Sequence, residues 1–108
     1  MMDLMNEMSA KTASLDKSIR SLRSLGTAYA QAEHDYKESL AKKILIERDK
    51  GTPVTIISDI CRGDSHIAKL RFERDVAEVV YKAAIEAING LKLQIKILDA
   101  QIEREWKS

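Results

Sequence analysis

Apolar or small side chains recur at Leu15, Ile19, Leu22, Gly26, Tyr29, Ala32, Tyr36 and Leu40, in steps of three and four residues. That spacing puts them on one face of a helix. Ser14 offers an N-cap ahead of this face, with Lys17 rather than an acid three positions on, so no capping box forms. Residues 1–13 are methionine-rich and weakly patterned, and read as a frayed lead-in. The predicted helix therefore covers 14–50, stopped by Gly51 with Pro53 just beyond. Gly26 lies on the stripe itself, at a helix-interior cost of roughly 1 kcal/mol.

A second stripe runs through Ile67, Leu70, Ala77, Tyr81, Ala84, Ile88, Leu91, Ile95, Leu98, Ile102 and Trp106, predicting a helix over 65–107 capped by Asp64 or Ser65. Beside it lies another apolar line: Phe72, Val76, Val79, Val80, Ala83 and Ala87. One partner helix does not cover both, so this second line is the expected interface of a homo-oligomer. Within 91–97, Asn89-Gly90 followed by strict alternation is a hairpin signal. The Leu91, Ile95, Leu98, Ile102 spacing continues the upstream phase, and a helix is the preferred reading.

Residues 51–64 connect the two patterns. Val54 to Arg62 is β-branched, but a lone strand would find no partner here. A short helix capped at Thr52 or Thr55, with Pro53 in its first turn and Gly63 at its end, is preferred. The expected fold class is all-α: an antiparallel hairpin of two long helices in one domain, with a short helical or irregular connection, assembling into a multi-helix bundle. In the connection, Ile56, Ile57 and Ile60 are expected to pack back on the hairpin while Asp59, Arg62 and Asp64 face a partner.

Composition narrows the function. The 108 residues are 44% apolar and 32% charged, with 18 basic against 17 acidic side chains. A net charge of +1 argues against an extended electropositive nucleic-acid surface and leaves room for a local basic stripe. Cys61 is the only cysteine, which fits a reducing compartment. Asp3 and Glu7 interrupt the start where a secretory signal would be apolar, and no apolar run is long enough to span a membrane. A cytoplasmic protein is expected.

Candidate chemistry is sparse. Cys61, Asp64 and His66 fall within six residues, but one cysteine and two histidines do not supply the paired spacings of a zinc site. No nucleophile elbow, phosphate loop or dinucleotide turn is present, so neither enzyme nor cofactor is expected. Arg62-Gly63-Asp64 matches an adhesion tripeptide yet reads better as helix end, turn and cap. Near the tip, Lys42, Lys43, Arg48 and Lys50 lie among Glu47 and Asp49, and beyond the turn the basic end of the hairpin offers Arg62, His66, Lys69, Arg71 and Arg74, diluted by Glu73, Asp75 and Glu78. With Asp59 and Asp64, the five basic residues beyond the turn make the candidate partner-binding set. The helix–turn–helix cadence over 45–74 carries too few free cations for more than weak nucleic-acid binding. A nucleotide phosphate clamped by arginines of two protomers is a further possibility.

Tyr36-Lys-Glu-Ser-Leu-Ala-Lys-Lys-Ile-Leu, Gly51-Thr-Pro-Val-Thr-Ile-Ile-Ser-Asp, Arg62-Gly-Asp and Tyr81-Lys-Ala-Ala-Ile-Glu-Ala-Ile-Asn resemble small helical proteins of Gram-positive phages and prophages. The resemblance runs from Tyr36 to Trp106, about two-thirds of the chain. It implies a phage accessory protein in the host cytoplasm. Its expected role is non-catalytic binding of a host protein, foremost as an inhibitor of a host defence system. The alternatives are a nucleic-acid-binding accessory of recombination or replication, and a sponge for a nucleotide signal.

Overall fold

The computed structural model describes residues 1–107, which form three helices and no strand among the described residues: α1 (Met2–Asp49), α2 (Val54–Gly63) and α3 (Ser65–Lys107). The fold is an all-α helical hairpin, with α1 against α3 and the short α2 in the connection.

Two corrections apply at the ends. The first helix begins at Met2, not at Ser14, so residues 2–13 are helical. The pattern there was masked by methionine: Leu4, Met8, Lys11, Leu15 and Ser18, all partly covered, already step by four and three. Ile19, placed on the core stripe, is instead exposed, and so is Trp106 at the far end of α3. Each lies one position past a covered residue or past the last covered turn.

The chain clusters into two compact units. In the unit formed by Gly26–Val80, three contacts fix an antiparallel pairing. The Tyr29 hydroxyl donates to Glu78 Oε2 at 3.2 Å, the Arg74 guanidinium stacks 4.7 Å from the Tyr36 ring centroid, and Lys43 lies 3.7 Å from Asp64. The α1 number rises as the α3 number falls. In the other unit, the first 25 residues with the stretch from Tyr81 onward, Ile88 and Leu98 are buried, and Leu4, Glu7 and Lys11 lie beside Gln94, Leu98 and Gln101. Asn89-Gly90 sits inside α3 without interruption, so 91–97 is helical, as its phase predicts.

The turn after α1 is built by its sequence. Gly51 adopts φ +79°, its N–H bonds the Arg48 carbonyl at 3.0 Å, and the Thr52 N–H reaches back to the Glu47 carbonyl at 3.1 Å. This pair of bonds closes a Schellman motif, which glycine enters without a Cβ penalty. Thr52 and Thr55 do not cap α2. Pro53 holds the N-cap position with no side-chain bond, because the Thr52 hydroxyl is committed to the Glu47 carboxylate at 2.7 Å.

Asp64 ends α2 and starts α3. Its N–H bonds the Cys61 carbonyl at 3.3 Å, and its Oδ1 accepts from the Ile67 N–H at 3.0 Å. Of the three connection isoleucines, only Ile57 packs inward, joined one turn later by Cys61 at 1% exposure. Ile56 and Ile60 are exposed, since a ten-residue helix lying on the hairpin turns one narrow stripe, the i, i+4 pair 57 and 61, toward it.

Candidate functional site

The α2 helix lies against the last turns of α1 and leaves a groove of about 340 Å³ between them. Leu40, Ile44, Val54, Ile57 and Cys61 give it an apolar floor and wall, and Tyr36 and Ser58 bring hydroxyls. Arg48 from α1 and Arg62 from α2 line the same groove. Both are exposed, and neither has a carboxylate partner among the described residues. The volume falls within the range of small recessed binding sites.

Local sequence explains the placement. Tyr36, Leu40, Ile44 and Arg48 are four apart on α1, so they form one continuous row. Val54, Ile57, Ser58, Cys61 and Arg62 form the matching row on α2. The Schellman turn sets the angle between the rows.

Beneath the turn sits a charged knot. Glu47 is buried, and its carboxylate accepts from the Thr52 hydroxyl at 2.7 Å. Lys43 Nζ lies 3.2 Å from it and Lys50 Nζ 3.7 Å. The Thr52 hydroxyl, followed by the Lys43 ammonium, holds the Glu47 carboxyl below the usual carboxylate range. Asp64 is lowered as well, mainly by the Ile67 N–H and then by Lys43. In return, Glu47 raises the Lys43 ammonium.

The sequence-derived partner set does not form one surface. Arg62 lines the groove. Asp64 and His66 line a separate shallow depression with Ser39, Lys42, Lys43 and Ile46. Asp64 is spent on capping α3 and on Lys43, which removes it from the residues free to face a partner. Arg74 is engaged inside the hairpin: beyond its stacking on Tyr36, its Nη2 lies 2.8 Å from Asp75 Oδ1. Lys69 is exposed with Glu73 at 4.0 Å, Arg71 is half-buried, and Asp59 is exposed on α2.

Arg48, Tyr36 and Ser58 were not in that set. The four-residue spacing from Tyr36 to Arg48 was the available signal, but it reads as ordinary core until α2 is known to stop short of covering it. The second apolar line on α3 is open in the chain, with Phe72 and Val79 each 67% exposed and Val76, Val80, Ala83 and Ala87 exposed as well.

No three His, Cys, Asp or Glu side chains come together as metal ligands among the described residues, and His34 instead lies 3.2 Å from Glu38. No helix is long and apolar enough to cross a membrane. Fold and site together define a helical hairpin with a basic-rimmed apolar groove at its tip. No protein-family model matches the chain, and neither a curated protein nor a solved structure does so.

Proposed function

We propose that the chain is a non-catalytic binding protein whose tip groove receives an apolar side chain of a partner protein, with flanking carboxylates on Arg48 and Arg62. The observation that carries this is the pair of unpaired arginines lining an apolar groove. A guanidinium fork matches a carboxylate with two parallel hydrogen bonds, and an apolar floor adds the burial that makes such a contact an anchor. Exposed Leu45, Val54, Ile56 and Ile60 on α1 and α2 supply apolar area for the surrounding contact.

The resemblance to phage and prophage proteins supplies the setting: the partner is a protein of the host cytoplasm, and a defence component held inactive by occupation of its surface fits best. A protein partner is favoured over nucleic acid because the basic residues of the tip are mostly spent within the chain. Lys42 and Lys43 are paired with Glu38 and Glu47, and Arg74 with Asp75.

The test is capture from host lysate by wild type and by Arg48→Glu and Arg62→Glu chains matched for melting temperature. The reading expects a protein that wild type retains and each reversal loses by tenfold or more. Retention of that protein by both reversals contradicts it, and so does recovery of nucleotide or nucleic acid alone.

A further inference from the structure

We infer that two copies of the chain pair through the open face of α3, antiparallel, about a two-fold axis passing between Ala84 and Ile85. This stands apart from the groove and does not depend on it. Phe72, Val76, Val79, Ala83, Glu86, Gly90, Leu93 and Ile97 follow one another in alternating steps of four and three. That is the heptad seam of a coiled coil, extending about 38 Å at 1.5 Å per residue. It is distinct from the stripe through Ile67, Ile88 and Leu98 that α3 buries within the chain. Phe72 at one end is 67% exposed and Leu93 at the other 59%, while Ile97, 53% exposed, also borders the shallow depression beside Glu7 and Lys11 of α1.

The seam is complementary to its own reverse. Around the proposed axis Phe72 meets the second copy's Ile97, Val76 meets Leu93, Val79 meets Gly90, and Ala83 meets Glu86. Each contact recurs by symmetry, as an isologous interface requires. Each joins an a position to a d position, the layer pairing of antiparallel coiled coils. The flanks agree with the same register. Asp75, whose Oδ1 also holds Arg74, comes opposite Lys96, twice, and Val80 comes opposite Ala87, twice. Lys96 is exposed and has no partner among the described residues. A parallel pairing would instead put Asp75 beside Val80 and Lys96 beside Gln101, and leave both charges without an opposite partner across the interface.

Gly90 supports the register independently. It sits in the interior of a continuous helix at a cost its own chain does not explain, because a Cβ there would meet nothing within 4 Å. In the pair, Gly90 faces Val79, and with Ala83 it lets the two helices approach closely near the axis. Glu86 is the one charged residue in the seam, and it weakens and tunes the association.

Three measurements test this. Sedimentation at tens of micromolar should give twice the 12.2 kDa chain mass, with Val79→Glu reverting to monomer at unchanged helical content. Lys96→Asp should weaken the dimer at least several-fold, and Asp75→Lys added to it should restore it. Under mild oxidation, Val76→Cys with Leu93→Cys in one chain should form a covalent dimer rapidly. Val76→Cys alone should not, since the two copies of residue 76 lie about 26 Å apart along the axis; the native Cys61 is buried and does not compete. A monomer at every concentration, or a dimer indifferent to Val79→Glu, overturns the pairing. Rapid cross-linking by Val76→Cys alone overturns the antiparallel register.

Discussion

Thr52 and Glu47 are joined twice across the turn that ends α1: the Thr52 N–H bonds the Glu47 carbonyl at 3.1 Å, and the Thr52 hydroxyl bonds the Glu47 carboxylate at 2.7 Å. One bond closes the backbone turn and the other satisfies a carboxylate that burial would otherwise penalise. Thr52→Val keeps the shape and removes only the second bond. It should lower the melting temperature, and removing both polar partners in Thr52→Val with Glu47→Leu should recover part of the loss. Thermal melts of the single and double variants check this.

The same carboxylate makes the tip sensitive to acid. Glu47 and Asp64 are both held below their ordinary values in the folded chain, so the stability they contribute is fully present above about pH 4.5. It is lost as pH falls through their depressed folded values. Melts from pH 7 to pH 3 should therefore show a decline below about pH 4.5, shallower in Glu47→Gln than in wild type. An identical decline in the two proteins would contradict the assignment to Glu47.

Two glycines should respond with opposite signs. Gly51 has φ +79°, so Gly51→Ala should destabilise by about 1 to 2 kcal/mol. Gly63 is the last residue of α2, has no positive φ, and a Cβ there would meet nothing within 4 Å. Gly63→Ala should stabilise by about 0.5 to 1 kcal/mol. Chemical denaturation of both variants measures each effect.

Stability and binding should separate within α2. Ile57→Ala removes a buried side chain, and should cost about 2 to 3 kcal/mol because the groove already leaves one side open. Arg62→Ala removes an exposed, unpaired cation and should leave the melting temperature nearly unchanged while weakening partner binding by about 1 to 3 kcal/mol. The reverse ordering would make α2 a connection rather than a binding element.

Much of this architecture is legible in the sequence, because a 3.6-residue period survives interruption. The phase running from Leu91 to Ile102 outweighs the hairpin signal of Asn89-Gly90, and Gly51 with Pro53 marks the end of α1. Reading fails where a residue's neighbour decides its role. Asp64 has the charge of a contact residue and the position of a helix cap, and the cap takes it. Arg74 is drawn inward by the Tyr36 ring, a contact between positions 38 residues apart that no local pattern reports. The groove likewise depends on how α2 lies against α1. Residues 54–62 specify the helix, but its angle comes from the Gly51 turn and the single inward stripe of Ile57 and Cys61.

Whether the groove is where a partner docks is tested most directly by photo-cross-linking from within it. A benzophenone side chain placed at Ser58, which lines the groove on α2, should yield one covalent protein adduct in host cytoplasm. Arg48→Glu in the same chain should abolish it, and the same probe at exposed Asp99 on α3 should give none. An adduct of that protein from Asp99 but not from Ser58, or an adduct at Ser58 that persists with Arg48→Glu, would contradict the groove as the binding site.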